Sequence, residues 1–234
     1  MKITILTSDI LDGLVISQRI IDAGKDVKAI LYETKKKTWK ALLKRFLYLL
    51  KGEIRHLGYR GMAKARPGLR VEEVSDMNSG RAKKVLEEVK PDLIVVAGTG
   101  KLKKEIYSSA AKGAINMHSG ILPYYRGADS EFWALYNGEA DRIGVTIHFI
   151  DERLDAGDMI LQERLRVGSR DDFKKLRMKN ISLGSRKMVE AIELIEKEGH
   201  KRMPQDESVA RTYRTHTARD QAVYLERTRT CAKK

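Results

Sequence analysis

The sequence contains almost no cysteine. Among its 234 residues the only one is Cys231, close to the C-terminus. A lone cysteine excludes an internal disulfide and any metal cluster held by several thiolates. We therefore expect the chemistry of this protein to depend on other side chains.

A long hydrophobic run is also missing. Residues 1–7 form a short β-rich stretch that Ser8 and Asp9 end at once, so neither a signal peptide nor a membrane span is visible. We find no internal repeat and no low-complexity segment. With 42% hydrophobic and 33% charged residues, the composition is typical of a folded protein, and we expect a cytoplasmic one.

Positive charge is abundant but unevenly placed. The formal net charge is +14. Residues 35–60 contain nine Lys or Arg and one Glu, and residues 199–234 contain nine Lys or Arg and four acids, which together account for +13. The rest of the chain is therefore nearly neutral, and the two basic segments are candidate partner surfaces.

Apolar residues follow the strand period and the helix period in turn along most of the chain. The predicted strands lie at Lys2–Leu6, Val27–Tyr32, Leu69–Val74, Leu93–Ala97, Gly113–His118, Gly144–Ile150 and Met159–Val167. The predicted helices lie at Ile10–Ala23, Ser79–Val89 and Asp129–Tyr136, with a long fourth helix opened by a capping box at Ser169 and Asp172 and ended by Gly199. This order predicts an α/β, Rossmann-like fold with a mostly parallel sheet and helices on both faces. On strand 144–150 we expect the alternating polar residues to point outward.

Within this plan, residues 1–200 form the main domain and residues 201–234 a short basic tail. The insertion at 35–60 has apolar residues at helical spacing with Lys and Arg between them, which predicts a basic amphipathic helix or helix pair. It is a solvated helix face, a site for an anionic acceptor or RNA, a membrane-surface contact, or a homodimer contact through Trp39, Phe46 and Leu50. The tail is too polar for a core of its own, so it must lie on the main domain or remain mobile.

Two stretches carry side chains suited to acyl transfer. Asn116 and His118 are two residues apart on a predicted strand, so they project from one face, near the strand end where ligands bind in open α/β sheets. Asp155 sits in a tight Asp-Ala-Gly turn after the next strand, from which a carboxylate can reach an imidazole. A carboxamide, an imidazole and a carboxylate suffice for acyl transfer to an amine without a metal. His148, on the strand before that turn, is interpreted as structural.

Together these stretches resemble the signature of the folate-dependent formyltransferases, a family that includes methionyl-tRNA, glycinamide ribonucleotide and amino-sugar formyltransferases. Its pattern is Asn-x-His, then Leu-Pro and a basic residue with Gly, and later Asp, a small residue and Gly. This chain supplies Asn116, His118, Leu122, Pro123, Arg126, Gly127, Asp155, Ala156 and Gly157. The resemblance covers roughly residues 2–167. It departs at Gly120, where many members place a serine two residues after the histidine.

The resemblance implies transfer of a formyl group from 10-formyltetrahydrofolate to a primary amine, with no metal. Asn116 would stabilise the oxygen that becomes negative, His118 would polarise that oxygen or handle the proton, and Asp155 would orient His118 and relay protons. The resemblance places the folate against Val96, Gly98, Leu102, Gly120, Ile121, Leu122, Pro123, Ile150, Asp151 and Gly157. It places the amine acceptor near Arg126 and Gly127.

The identity of the acceptor is less well specified. A glycinamide ribonucleotide is disfavoured, because residues 7–13 contain two acids and no glycine-rich phosphate loop. A basic insertion is typical of the methionyl-tRNA enzymes, but the tail beyond Gly199 is too short for their C-terminal β-barrel. The compact core, the Tyr-Arg-Gly of residues 125–127 and the tail segment 204–208, Pro-Gln-Asp-Glu-Ser, resemble features of the amino-sugar formyltransferases. This resemblance favours a nucleotide-linked amino sugar as the acceptor. A non-catalytic protein that binds RNA or a membrane surface is the alternative from another class.

Overall fold

The structure is a computed structural model that describes residues 1–8, 11–34, 46–47, 49–50, 58–168 and 171–231. Most of the predicted basic insertion, including Trp39, lies outside these residues, as does Ser169. Within the insertion, Phe46 and Leu50 are exposed, whereas Tyr59 is buried at the start of a helix. The role of the insertion stays a prediction.

Nine strands and seven α-helices are present in the described part of the chain. The strands are β1 Ile3–Ser8, β2 Val27–Glu33, β3 Arg70–Val74, β4 Leu93–Ala97, β5 Ala114–His118, β6 Arg126–Gly127, β7 Gly144–Phe149, β8 Met159–Arg164 and β9 Thr212–Tyr213. The helices are α1 Leu11–Asp22, α2 Tyr59–Ala65, α3 Gly80–Val89, α4 Lys104–Tyr107, α5 Ser130–Tyr136, α6 Phe173–Glu196 and α7 Ala218–Cys231. The strands and helices predicted outside the insertion are all found, within a few residues at their ends. Among these helices, none combines the length and the apolar character needed to cross a bilayer.

Seven strands form one sheet in the order β3-β2-β1-β4-β5-β7-β8. The first five are parallel, whereas β7 runs antiparallel to β5 and β8 antiparallel to β7. This confirms the predicted Rossmann-like α/β fold. The order of the strands reverses between β1 and β4, and ligands of such sheets bind at the carboxyl ends of the strands beside that reversal.

Two apolar layers cover the sheet. On one face α1 and α6 pack against strand residues such as Ile5, Val95 and Ile147. On the other face α3 and α4 pack against residues such as Leu6 and Val96. Because successive strand residues point to opposite faces, each buried strand contributes to both layers.

The long helix α6 begins one turn later than the capping box predicted. Asp172 is its N-cap, and the Asp172 carboxylate accepts the amide of Lys175 at 2.8 Å. A carboxylate at this position satisfies one of the free amides of the first turn. Asp172 is therefore the N-cap of the helix, whereas the predicted capping box placed it at the third position inside the helix.

The tail folds back onto the main domain. Strand β9 pairs in parallel with β6, and the Trp133 indole donates to the Arg214 carbonyl at 2.7 Å. The Tyr213 ring stacks on Tyr125 with centroids 5.0 Å apart. Of the two possibilities for the tail, packing on the domain is therefore the one observed.

Candidate active site

Asn116 and His118 lie together on one face of β5. In the antiparallel pairing of β5 with β7, Asn116 is opposite His148 and His118 is opposite Thr146. Residues directly opposite each other on paired strands share a face of the sheet. The pairing therefore places four polar side chains next to each other where β5 ends.

The polar residues of β7 do not point outward, so that expectation was wrong. All six residues of the strand are buried. The Thr146 hydroxyl donates to the Gly120 carbonyl at 2.7 Å and accepts the Leu122 amide at 3.2 Å. The loop after β5 thus covers the polar face of β7. Alternation of polar and apolar residues within a strand cannot predict that a distant segment will bury its polar face.

Asp155 reaches the same face from the turn after β7. Its backbone is left-handed, with φ of 50°, which is uncommon for a residue that has a Cβ. The Gly127 amide donates to Asp155 Oδ2 at 2.9 Å. Asp155 Oδ2 lies 3.5 Å from His118 Nδ1, and Oδ1 lies 3.7 Å from His148 Nε2. The structure therefore brings the three predicted chemical residues together, with His148 as a fourth.

His148 is a neutral imidazole in this group. Burial lowers its pKa to about 4, although the nearby Asp155 carboxylate opposes this shift, so the two do not form an ion pair at neutral pH. His148 Nδ1 donates to the Phe149 carbonyl at 2.8 Å, which leaves Nε2 to accept the Asn116 amide at 3.2 Å. The interpretation of His148 as structural stays a prediction, and the structure adds that the His148 ring holds the Asn116 side chain through this hydrogen bond.

The second ring nitrogen of His118 is already engaged. His118 Nε2 faces the Tyr125 carbonyl and lies 3.2 Å from the Ser130 hydroxyl. The carbonyl can only accept, so Nε2 carries a proton and donates. His118 Nδ1 is consequently the nitrogen that faces Asp155.

Ser130 also explains the glycine at position 120. A Cβ built on Gly120 would lie 2.8 Å from both Cβ and Oγ of Ser130 and 2.8 Å from the Tyr125 carbonyl oxygen. Separations this short force the neighbours to shift. The hydroxyl near His118 is therefore supplied by Ser130 of α5 and not by position 120.

A cavity of about 600 Å³ opens beside these residues, a size typical of small-molecule sites. Five of the residues predicted to contact the folate line it: Val96, Gly98, Leu102, Ile150 and Asp151. The other five lie outside its lining: Gly120, Ile121, Leu122, Pro123 and Gly157. Four of these five residues belong to the loop after β5, where the side chains of Ile121 and Leu122 are buried in the protein and do not face the cavity.

The two residues predicted to bind the acceptor take different directions. Gly127 lines the cavity. The Arg126 side chain is only 7% exposed and donates to Glu207 at 2.8 and 3.0 Å. It also donates twice to the Gln205 amide oxygen, at 2.8 and 3.1 Å. The structure therefore directs Arg126 to the tail and away from the cavity lining.

A family model described as Formyl transferase matches residues 18–192, which is most of the chain. The chain belongs to the formyl transferase family. The polar residues of β5 and the Asp155 turn lie within the matched residues, as do all strands of the seven-stranded sheet except β1.

Curated relatives in the formyl transferase family match this chain over part of their length. The methionyl-tRNA formyltransferase of Kosmotoga olearia is 36% identical over 160 residues, covering 68% of this chain and 51% of the relative. That of Desulforamulus reducens is 41% identical over 126 residues, covering 53% of this chain and 39% of the relative. The chain thus spans about half the length of the curated relatives it matches or less.

Solved formyltransferase structures share the fold. One is the formyltransferase PseJ from Anoxybacillus kamchatkensis, in complex with UDP-4,6-dideoxy-4-formamido-L-AltNAc and tetrahydrofolate. It superimposes with a TM-score of 0.58 at 20% identity, covering 97% of this chain and 90% of that chain. At this identity the likeness shows the fold alone.

The cavity lining of this chain also contains charged residues that the sequence did not single out as a site. Asp12 of α1 pairs with Arg177 of α6 at 2.9 Å. Both line the cavity, together with Asp129, Tyr213 and Thr215. Asp12 and Arg177 are far apart along the chain, so no local pattern in the sequence connects them.

A buried carboxyl, that of Glu131, lies close enough to Arg177 to interact with its charge. Burial raises the pKa of Glu131, although the Arg177 charge opposes the shift. The Glu131 carboxyl accepts the Asn180 side-chain amide at 3.0 Å. Glu131 is therefore buried near the site but is not one of the residues that line the cavity.

Proposed function

We propose that this protein transfers a formyl group from 10-formyltetrahydrofolate to a primary amine. The observation that carries the proposal is the convergence of Asn116, His118 and Asp155 on one wall of the cavity. A donor, a proton carrier and a carboxylate in contact are the groups that acyl transfer to an amine requires. Membership in the formyl transferase family supports the same class of reaction.

Asn116 is the donor to the oxygen that gains negative charge. One N–H of its amide is directed to His148 Nε2 at 3.2 Å, so the other N–H is left for the substrate. Because His148 is neutral, its lone pair holds the Asn116 amide in this orientation before the reaction begins. Loss of a donor prepared in this way typically lowers the rate by about 10²–10³.

His118 and Asp155 move the proton. As the bond from the amine nitrogen to the formyl carbon forms, the amine must lose one proton. His118 Nδ1, which lies 3.5 Å from Asp155 Oδ2, accepts that proton with the carboxylate stabilising the resulting charge. The pair then returns the proton to the folate nitrogen whose bond to the formyl carbon breaks, so protons and charge balance.

The β4 side of the cavity fits the formyl donor. Val96, Leu102 and Ile150 form apolar walls that suit a flat heterocycle, and the Gly98–Gly100 segment presents backbone groups. The donor supplies the formyl carbon, and these residues bind and orient it. The tetrahydrofolate named in the PseJ complex is consistent with a folate in this fold.

We propose a nucleotide-linked amino sugar as the acceptor. The cavity lining also includes Asp12, Asp129 and Thr215, whose side chains carry two carboxylates and a hydroxyl. Carboxylates and hydroxyls are suitable partners for sugar hydroxyls. Two of the lining residues, Tyr213 and Thr215, come from the folded tail, and a cavity of about 600 Å³ is of the size that small-molecule acceptors occupy.

An aminoacyl-tRNA is the second candidate, and a different observation favours it. The curated relatives that are 36% and 41% identical are methionyl-tRNA formyltransferases. The basic segment 35–60 would supply charge for a phosphate backbone.

The reaction is tested by incubation with 10-formyltetrahydrofolate and a panel of nucleotide-linked amino sugars. We expect the wild type to formylate an amine, and we expect His118→Ala and Asp155→Asn to lower kcat by about 10² or more. His200→Ala and Asp141→Asn, which replace the same residue types outside the cavity lining, should keep the wild-type rate. No transfer to any amine, or equal rates in both site variants and the wild type, would contradict the proposal.

The acceptor is tested by comparing kcat/KM for amino sugars with kcat/KM for methionyl-tRNA. Replacing Lys40, Lys44 and Arg45 together by Glu should leave amino-sugar turnover unchanged. A matched charge reversal at Lys83, Lys84 and Lys104 controls for net charge. Preferential use of methionyl-tRNA, lost in the first triple variant and kept in the second, would replace the amino sugar by the tRNA.

A further inference from the structure

The side chain of Gln205 joins the tail to the turn that carries Asp155. Its amide nitrogen donates to two carbonyls, that of Asp155 at 2.8 Å and that of Gly157 at 2.9 Å. Its amide oxygen accepts from Nη2 and Nε of Arg126 at 2.8 and 3.1 Å. Two donors and two acceptor positions are all that a side-chain amide has, so the hydrogen-bonding capacity of Gln205 is used in full.

Arg126 fixes which way the Gln205 amide faces. The Arg126 side chain is 7% exposed and holds Glu207 with two hydrogen bonds at 2.8 and 3.0 Å. A guanidinium only donates, so the Gln205 oxygen must face it and the Gln205 nitrogen must face the turn. Glu207 also pairs with Arg153 at 3.1 Å.

The turn at Asp155 requires outside support. Its φ of 50° is left-handed, and a residue with a Cβ keeps such a conformation only when the surrounding structure holds it. Gln205 binds the carbonyls on both sides of Ala156, so one side chain spans the strained part of the turn. Ala156 itself is buried.

The tail holds the Asp155 carboxylate by a second route. The Gly127 amide donates to Asp155 Oδ2 at 2.9 Å. Gly127 belongs to β6, and the residues on either side of Gly127 are hydrogen-bonded to the tail. The Arg126 amide donates to the Arg211 carbonyl at 2.9 Å, and the Ala128 amide donates to the Tyr213 carbonyl at 3.0 Å. Both the backbone and the carboxylate of Asp155 therefore depend on residues 205–213.

We infer that Gln205 is a positioning residue for formyl transfer. It holds the left-handed turn so that the Asp155 carboxylate stays between His118 and His148. The kinetic part of this inference rests on the proposed function, whereas its structural part does not. The tail is thus a component of the active site and more than a cover for the main domain.

Amide hydrogen exchange measured by NMR tests the structural part. Gln205→Leu keeps the approximate size but can neither donate to the turn nor accept from Arg126. The Gly127 amide, which depends on the Asp155 carboxylate, should then exchange about ten-fold faster or more, the effect of losing roughly one hydrogen bond. The Ala128 amide, whose acceptor is Tyr213, should keep its rate, and the control Ser208→Ala should leave both unchanged. An unchanged rate at Gly127 in Gln205→Leu would overturn the inference.

Steady-state kinetics tests the functional part. Gln205→Leu should lower kcat about ten-fold while the KM values of both substrates change less than about two-fold. Gln205→Glu should show the same loss, because a carboxylate still accepts from Arg126 but offers no N–H to the two carbonyls. In an Asp155→Asn background Gln205→Leu should have no further effect, since Asp155 is the group that it positions.

Two kinetic results would overturn the functional part. An equal loss of kcat in the wild-type and Asp155→Asn backgrounds would show a general structural effect. Faster exchange at Gly127 with an unchanged kcat would show that the turn is held but that catalysis does not need it. A wild type that formylates no amine refutes the proposed function instead, and the exchange at Gly127 still decides the structural part.

Discussion

His148 is buried without charge, and replacing it should change how stability depends on pH. Burial lowers its pKa from the ordinary value of 6.5 to about 4, with Asp155 opposing in part. Between these two values the unfolded chain binds a proton at this residue that the folded protein does not bind. A histidine whose folded pKa is depressed therefore stabilises the fold fully above pH 6.5, and that contribution is lost as the pH falls toward 4.

The size of the effect follows from the two pKa values. A difference of about 2.5 corresponds to about 3 kcal/mol when the titration is complete. About 2 kcal/mol of this is lost between pH 7 and pH 4.5. His148→Leu removes the titrating group, so its free energy of unfolding should fall by about 2 kcal/mol less than that of the wild type over this interval. At pH 7 the variant should itself be less stable, because the Phe149 carbonyl loses its donor.

Urea unfolding at pH 7 and pH 4.5, followed by circular dichroism, measures these differences. Ile147→Val, a core substitution on the same strand with no titrating group, is the control and should keep the wild-type pH dependence. Equal pH dependence in the wild type and in His148→Leu would refute the neutral buried histidine. It would also remove the reason why His148 Nε2 accepts from Asn116.

Two further substitutions test the site at neighbouring positions. Asn116→Asp replaces the N–H donor by an oxygen that faces the His148 lone pair, so kcat for formyl transfer should fall by about 10²–10³. The surface control Asn137→Asp should remain near the wild-type rate. A loss of less than about ten-fold in Asn116→Asp would contradict the role of Asn116. Gly120→Ser places a Cβ 2.8 Å from Ser130 and should lower the free energy of unfolding by about 1–3 kcal/mol. Gly80→Ser, where a Cβ meets nothing within 4 Å, should not, and equal urea midpoints for the two glycine variants would show that position 120 has room for a side chain.

The sheet and its main helices were predictable because they depend on local periodicity. Apolar residues two apart on buried strands, and three and four apart on helices, produce elements whose type does not depend on distant contacts. The same period of two correctly predicted that Asn116 and His118 share one face. The short strands β6 and β9 were missed, since each has two residues and forms only when the tail meets the loop after β5.

The directions of several polar side chains were decided by contacts between distant parts of the chain. Arg126 was expected to bind the acceptor, but its side chain is hydrogen-bonded to Gln205 and Glu207 of the tail. Asp12 of the cavity lining pairs with Arg177, which the distant helix α6 supplies. No local pattern encodes either pairing.

The sequence by itself determined the α/β alternation, the shared face of Asn116 and His118, and the presence of a carboxylate in a tight turn. Each of these depends on residues within a few positions of one another. Only the tertiary structure decided that His148 lies opposite Asn116, that Ser130 occupies the space beside Gly120, and that the tail holds the Asp155 turn. These features depend on strand register and on packing between distant segments, where a buried polar group takes the partner that the completed fold offers.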